Sequence, residues 1–102
     1  MLRDIIHYIE LNYMENLRLE NIAHLFGYNS SYLGTIFSKK VGVPFHAFVD
    51  QVRVEHSKEL LKDKSLKVYE VATQVNYKNV DYFHKKFKKY VNQSPAEYRR
   101  AL

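Results

Sequence analysis

The chain of 102 residues contains no cysteine and no tryptophan, and it has only two prolines and three glycines. Without cysteine it can form neither disulfides nor cysteine-ligated zinc fingers, and thiol catalysis is excluded. The scarcity of proline and glycine is typical of a mostly helical chain with few irregular loops. No run approaches the roughly 20 apolar residues that span a bilayer, and no signal peptide is visible. We therefore expect a soluble, cytoplasmic protein.

Aromatic residues and positive charge are plentiful instead. Nine tyrosines and six phenylalanines contribute to a hydrophobic fraction of 46%, which is enough for one compact domain or two very small subdomains. The formal net charge is +5. A basic chain of this kind indicates an anionic partner, either nucleic acid or an acidic membrane surface.

Part of the sequence occurs nearly twice. The segment IAHLFGY at 22–28 returns as VATQVNY at 71–77, and YL at 32–33 returns as YF at 82–83. Each copy reads as an apolar helix, a tight turn and a second helix that carries hydroxyls or cations. This order is typical of a helix-turn-helix, whose second helix enters the major groove of DNA. Two copies in one chain suggest a monomer that reads two consecutive segments of groove.

Apolar residues spaced three or four apart predict an all-α fold of about seven helices, and no segment alternates for long enough to form a strand. We place a first helix-turn-helix subdomain at 1–43, a linker helix at 44–62 and a second helix-turn-helix subdomain at 63–102. The predicted helices are Leu2–Asn12, Leu19–Phe26, Ser30–Lys40, Pro44–Lys62, Val68–Val75, Val80–Val91 and a short final helix that ends at Leu102.

The turns carry local signals of their own. Gly27 and Asn76 follow the first helix of each copy, where a positive φ is common, and glycine and asparagine tolerate that conformation best. Asn29 and Asn79 are suitable N-caps for the two helices that follow. Near the end of the chain, the segment SPAE at 94–97 combines a capping box with proline at the first helical position.

The linker helix is the longest predicted element. Its expected inner stripe consists of Phe45, Phe48, Val49, Val52, His56 and Leu60. The side chains expected in solvent are Arg53, Glu55, Lys58 and Glu59.

Two helix faces carry side chains suited to reading DNA bases. In a helix, residues spaced three, four and seven apart share one line. The line in the first copy holds Ser31, Gly34, Thr35 and Ser38. The equivalent line in the second copy holds Val80, Asp81, His84, Lys85 and Lys88. For a single charged helix, the better interpretation would be an ordinary solvated surface. Because the pattern is repeated within a helix-turn-helix frame, we interpret it as a DNA-reading face.

The two faces differ in chemistry. The first has only small side chains, so it can approach the groove floor closely but offers few bidentate partners for bases. In the second, Val80 fits a thymine methyl and Asp81 can accept from cytosine N4. His84 and Lys85 can donate to guanine acceptors. We therefore expect more of the sequence discrimination from the second copy.

Cations and hydroxyls beside these faces are candidates for contacts to DNA phosphates, and each cation contact steepens the salt dependence of binding by about one unit. These candidates are Lys39, Lys40, Lys86, Lys88, Lys89, Arg99 and Arg100, together with Ser30, Ser38 and Asn79. Arg18 and Lys67 stand where a serine or threonine would normally cap a helix, so their charge opposes the helix dipole. A phosphate docked at these ends explains both residues, and drift at an exposed site is an equal alternative.

No pattern indicates catalysis or a metal site. The five histidines are scattered along the chain, and none pairs with another at i, i+4 beside a carboxylate. We identify no glycine-rich phosphate loop, no nucleophile with a matching base and no pocket with paired carboxylates in the sequence. We expect neither enzyme activity nor a cofactor.

Several motifs together are similar to one known family. They are YL at 32–33, FSKK at 37–40, GVPF at 42–45, VRVE at 52–55, KELL at 58–61, YF at 82–83, FKK at 87–89 and SPAEYR at 94–99. They resemble the DNA-binding domain of AraC/XylS-family transcription regulators over nearly the whole chain. The residue pairs YF at 82–83 and SP at 94–95 are most similar to the branch of this family that is found at the C-terminus of bacterial response regulators. Gly34 departs from this pattern, because the family usually has a longer polar reader there.

The resemblance implies two helix-turn-helix subdomains joined by a long linker helix. It also implies base-reading positions at Ser31, Gly34, Thr35, Val80, Asp81, His84 and Lys85. The implied partners are double-stranded DNA and, through a full-length regulator, RNA polymerase, with the domain alone monomeric. We expect the chain to be a domain excised from a longer regulator, with Met1 added at the cut.

Three alternatives stay open at this point. A sequence-indifferent or architectural DNA binder would use the same basic faces. A helical protein-interaction module would use exposed tyrosines as anchors, for which Tyr8, Tyr13, Tyr69 and Tyr90 are candidates. An accessory domain of an alkyl-transfer repair enzyme is the third, although this chain lacks the cysteine for that chemistry.

Overall fold

The computed structural model describes residues 2–102, so the expectation for Met1 lies outside them. These residues form seven α-helices and no strand, which confirms the all-α prediction. The helices are α1 (Leu2–Asn12), α2 (Leu19–Phe26), α3 (Ser30–Val41), α4 (Phe45–Leu60), α5 (Val68–Gln74), α6 (Val80–Val91) and α7 (Pro95–Arg100).

The chain divides into two compact units, of which the first ends at Val52 and the second begins at Arg53. The division falls within α4, so one half of this helix belongs to each unit. The assignment of 1–43, 44–62 and 63–102 to two DNA-contacting subdomains and a linker stays a prediction.

The core of the first unit is built from α1, α2, α3 and the first half of α4. The ring of Phe37 is fully buried and lies edge-on to Phe45 and Phe48, with centroids 5.8 and 5.6 Å away. Edge-to-face pairs of this kind stabilise a core beyond the area that they bury. The buried residues of this core are Ile5, Ile9, Ile22, Ala23, Leu33, Phe37, Phe45, Val49 and Val52.

In the second unit, a row of aromatic rings packs together with buried aliphatic residues, which include Val71 and Val75. Tyr77 lies 5.6 Å from Phe83, Phe83 lies 5.8 Å from Phe87, and Phe87 lies 5.6 Å from Tyr98. The row links the turn after α5 to α6 and α7. Arg53 of α4 lies over the ring of Tyr77, at 5.8 Å from its centroid.

The inner stripe predicted for α4 is right in the first half of the helix and wrong in the second. Phe45, Val49 and Val52 are buried, but His56 and Leu60 are only partly buried. The buried residues of the second half are Val54 and Ser57. Ser57 can lie in a core because its Oγ donates to the Val54 carbonyl at 2.6 Å. One periodic stripe fails here because each half of the helix contributes to a different core.

The solvent-exposed set predicted for α4 is also partly wrong. Glu55 and Glu59 are exposed, whereas Arg53 and Lys58 are half-buried. The ammonium of Lys58 lies 5.8 Å from the ring centroid of Tyr98 and 3.3 Å from Glu55 Oε2. Both cations cover aromatic rings of the second unit, and this explains their partial burial.

The two turns between the helices of each copy have the same geometry. Gly27 has φ 79° and Asn76 has φ 70°, as the turn signals predicted. The next residue in each copy closes the turn, because the N–H of Tyr28 donates to Ala23 at 2.7 Å and that of Tyr77 to Ala72 at 2.8 Å. This left-handed ending directs the chain from α2 into α3, and from α5 into α6, in the same way.

Candidate nucleic-acid interface

The two predicted recognition helices, α3 and α6, begin with matching asparagine caps. The side-chain oxygen of Asn29 accepts from the N–H of Tyr32 at 3.1 Å. That of Asn79 accepts from Asp81 at 2.8 Å and from Tyr82 at 3.1 Å. Both N-cap predictions are confirmed. A phosphate oxygen can only accept, so the predicted phosphate contact of Asn79 belongs to its amide NH₂.

The predicted base-reading face of α3 borders an open hollow on the surface of the first unit. Ser31 and Thr35 are exposed, while Gly34 and Ser38 are half-buried. The residues that line the hollow are Leu19, Ser30, Ser31, Gly34, Thr35, Ser38 and Lys39. The structure thus brings the hydroxyls of this face together with one cation, and Leu19 of α2 adds an apolar wall.

Gly34 has a packing reason that the sequence did not reveal. A Cβ added to Gly34 would lie 3.1 Å from Cδ2 of Leu19, which is tighter than ordinary van der Waals contact. With glycine at position 34, the side chain of Leu19 can keep its place beside α3 without shifting. This contact gives a packing reason for a glycine where a longer polar reader was expected.

The predicted base-reading face of α6 is longer and more polar. Asp81, His84 and Lys85 are exposed, Val80 is half-buried, and Phe83 and Phe87 on the opposite side are fully buried. Asp81 lies in the first turn of the helix, where a carboxylate is also favourable for the helix dipole. The face therefore offers an acceptor near its start and donors further along.

Most of the predicted phosphate contacts are exposed side chains. The exposed members are Arg18, Lys39, Lys40, Lys67, Asn79, Lys88 and Lys89, and the half-buried ones are Ser30 and Ser38. Lys39 and Lys40 lie in the last turn of α3, and Lys88 and Lys89 lie in the last turn of α6. Cations at these ends also suit the helix dipole.

Arg18 and Lys67 occupy the N-cap positions of α2 and α5 and make no side-chain cap. At α5 the missing side-chain cap is partly compensated, because the carboxylate of Glu70 accepts from the backbone N–H of Lys67 at 2.8 Å. This is the glutamate half of a capping box. A lysine side chain has no acceptor with which to supply the other half.

Two cations considered as phosphate contacts are committed within the protein. Arg99 is half-buried, and its Nε donates to the carbonyl of Leu61 at 3.0 Å while Nη2 donates to that of Asp63 at 3.3 Å. Lys86 is half-buried and lies 5.2 Å from the ring centroid of Tyr82. Arg99 thus links α7 to the segment after α4. The net charge of the sequence does not distinguish such a cation from one that is available to DNA.

Two exposed tyrosines on these helices received no role from sequence reasoning. Tyr32 and Tyr82 occupy the third position of α3 and α6, and 54% and 46% of their surface is exposed. The signal that could have found them is the repeat itself, because both copies have tyrosine at this place.

Among the described residues, no three histidine or carboxylate side chains come together as metal ligands could. No helix within residues 2–102 has the length and apolar character to cross a membrane.

A family model described as a helix-turn-helix domain matches residues 22–101. The chain belongs to the AraC-type helix-turn-helix family. This confirms the family that the sequence motifs predicted. The AraC-type domain spans between 12% and 33% of the length of the curated relatives that it matches.

Three similar proteins place this AraC-type domain among known ones. YijO of Escherichia coli (strain K12), an uncharacterised helix-turn-helix transcriptional regulator, is 38% identical over 91% of this chain and 33% of its own length. The C-terminal domain of the two-component response regulator yesN from Fusobacterium nucleatum is 38% identical, covers 95% of both chains and has a TM-score of 0.86. The DNA-binding domain of AdpA, solved with a target DNA, shares the fold at 21% identity, with a TM-score of 0.89 and coverage of 98% of this chain and 90% of its own.

Proposed function

We propose that this domain binds double-stranded DNA in a sequence-specific manner as the DNA-binding part of a bacterial transcription regulator. The recognition helices α3 and α6 enter adjacent segments of the major groove. Ser31, Thr35, Asp81, His84 and Lys85 face the bases. The proposed activity is binding alone, with no catalytic step.

The observation that carries this proposal is the repeated recognition helix. In both copies an asparagine-capped helix follows a left-handed turn, buries its aromatic or aliphatic side and exposes hydrogen-bonding groups with lysines in the last turn. A solvated surface does not require the same arrangement twice. Positive charge along both helices and the overall charge of +5 fit a phosphate backbone.

The likeness to AdpA supports the choice of ligand, because that domain was solved with a target DNA. The likeness to yesN supports a place at the C-terminus of a response regulator. On this proposal the domain acts in the cytoplasm as a monomer, and a longer regulator brings it to RNA polymerase.

Selection of binding sites from random duplex DNA, carried out at two salt concentrations, tests the proposal. We expect a non-palindromic motif with two conserved blocks about 10 base pairs apart. The variants Asp81→Ala and Lys85→Ala should each change the preference at one or two base pairs of one block, by about 1–3 kcal/mol. Lys89→Ala is the matched control, because a phosphate contact should weaken all sequences alike.

A sequence-indifferent DNA binder is the second candidate function. The observation that favours it is the α3 face, which carries only small side chains, at Ser31, Gly34, Thr35 and Ser38. Strong, salt-sensitive binding without any selected motif would establish this function and contradict sequence-specific reading. Absence of duplex binding at low salt would contradict both.

A further inference from the structure

Tyr32 and Tyr82 stand at equivalent places in the two halves of the chain. Each is the third residue of its recognition helix, and its backbone N–H is held by the asparagine cap at 3.1 Å. About half of each side chain is exposed, at 54% and 46%. Tyr69 is equally exposed at 56%, but the residue that matches it in the first copy is Glu20. Repetition therefore singles out the tyrosines of α3 and α6.

A second tyrosine packs against each of these rings. Tyr28 stacks on Tyr32 with ring centroids 6.5 Å apart, and Tyr77 lies 5.8 Å from Tyr82. Tyr77 is itself only 5% exposed, so it forms a rigid support. Lys86 covers Tyr82 at 5.2 Å. A ring that is already fixed loses little rotamer freedom when its hydroxyl binds a ligand.

Each tyrosine shares one side of its helix with a lysine of the last turn. Residues 32 and 39, and residues 82 and 89, are separated by two helical turns, which corresponds to about 10 Å along the axis. Lys39 and Lys89 are both exposed. Thr35 and Lys85, which face the bases in our proposal, follow the tyrosines by one turn. The tyrosine and the lysine therefore lie beside the reading face, near its two ends.

We infer that Tyr32 and Tyr82 form a duplicated phosphate contact, in which each phenolic hydroxyl donates a hydrogen bond to a DNA backbone phosphate. The inference rests on the proposed DNA binding and adds two residues to it. Tyrosine hydroxyls are among the donors that contact phosphate oxygens in DNA complexes. The fixed rings set the register of each helix in its groove, and Lys39 and Lys89 supply charge two turns further on.

The variants Tyr32→Phe and Tyr82→Phe test this, since each removes one hydroxyl and keeps the ring contacts. We expect each to weaken binding by about 3- to 10-fold, equally for the selected site and for random duplex. The slope of log affinity against log salt should stay unchanged, because a neutral hydroxyl releases no counterion. Lys89→Ala should instead reduce that slope by about one. Tyr69→Phe is the matched control and should bind like the unmodified protein.

A single methylphosphonate placed at each phosphate of the selected duplex supplies the second measurement. At the phosphate that Tyr82 contacts, the substitution should weaken the unmodified protein more than the Tyr82→Phe variant, because the variant has already lost that hydrogen bond. Thermal unfolding of both variants should match the unmodified protein, which excludes loss of folding as the cause.

Three results would overturn the inference while leaving DNA binding intact. They are affinity equal to that of the unmodified protein, a changed base preference, or equal methylphosphonate effects in protein and variant. If the unmodified domain bound no duplex at all, the proposed function would fail together with the inference.

Discussion

Arg99 and Lys89 show that cations close in sequence can have different tasks. Lys89 is exposed in the last turn of α6. Arg99 is half-buried, and its guanidinium donates hydrogen bonds to the carbonyls of Leu61 and Asp63. Sequence alone could not separate the two, because the partners of Arg99 precede it by more than thirty residues. Lys89 stays a proposed phosphate contact, whereas Arg99 stabilises the fold through its hydrogen bonds to these two carbonyls.

Replacing Arg99 should therefore lower stability rather than DNA affinity. For Arg99→Ala we expect the free energy of unfolding to fall by about 1–3 kcal/mol, because two backbone carbonyls lose a charged donor. Urea denaturation measures this loss. Arg100→Ala, at an exposed neighbour, is the control and should change stability by less than about 0.5 kcal/mol.

The salt slope of DNA binding by folded Arg99→Ala should equal that of the unmodified protein. A slope reduced by about one would mean that Arg99 contacts a phosphate, and unchanged stability would mean that its two hydrogen bonds do not support the fold.

At the scale of single elements, the helix ends were predictable because each depends on residues within one turn. The caps at Asn29 and Asn79 are confirmed, as is the positive φ of Gly27 and Asn76. The capping box of α7 is also present, since Ser94 Oγ accepts from the N–H of Glu97 at 3.1 Å and Glu97 Oε1 accepts from that of Ser94 at 2.8 Å. The buried face of α4 was predicted only in part, because it depends on two separate cores.

The α7 capping box should make stability depend on pH. The hydrogen bond from the Ser94 backbone, and then that from its side chain, lower the pKa of Glu97 below the ordinary value of 4.5. A lowered folded-state pKa means that the stabilisation is fully present above about pH 4.5 and is lost as the pH falls through the lowered pKa. Glu97→Gln should therefore be less stable than the unmodified protein near pH 7. This difference in stability should become smaller as the pH falls below about 4.

Thermal unfolding midpoints measured between about pH 3 and pH 7 test this expectation. Glu10→Gln, at an exposed glutamate in α1, serves as the control for the loss of a surface carboxylate. A difference in stability for Glu97→Gln that stays constant over the whole range would contradict a role for the ionised carboxylate in the cap.

In the whole molecule, the same asparagine-capped helix after a left-handed turn occurs once in each of two compact units. Each unit has its own core and its own capped helix with lysines in the last turn. The faces are not equivalent, since Gly34 gives α3 a hollow and α6 carries longer polar side chains. On the proposed function both units contact one duplex, and α6 supplies more of the discrimination.

If both units contact the same DNA, losses at Lys39 and Lys89 should add. Lys39→Ala and Lys89→Ala should each reduce the slope of log affinity against log salt by about one, and the double variant should reduce it by about two. Binding titrations over a range of salt concentrations measure these slopes. Lys64 is exposed in the segment that joins α4 to α5. Its variant Lys64→Ala is the control and should leave the slope unchanged. A double variant no different from one of the single variants would show that only one helix contacts DNA.

The seven helices, the caps and turns confirmed above, the repeat and the family could all be predicted from the sequence, because each of these depends on neighbouring residues or on a shared pattern. The packed structure was needed to show which side of α4 is buried, that Leu19 lies close to Gly34, which carbonyls Arg99 binds and which rings contact Tyr32 and Tyr82. These features depend on groups that are distant in the chain and meet only when the cores form. Local hydrogen bonds can be read along a sequence, whereas burial and ring contacts require the packed protein.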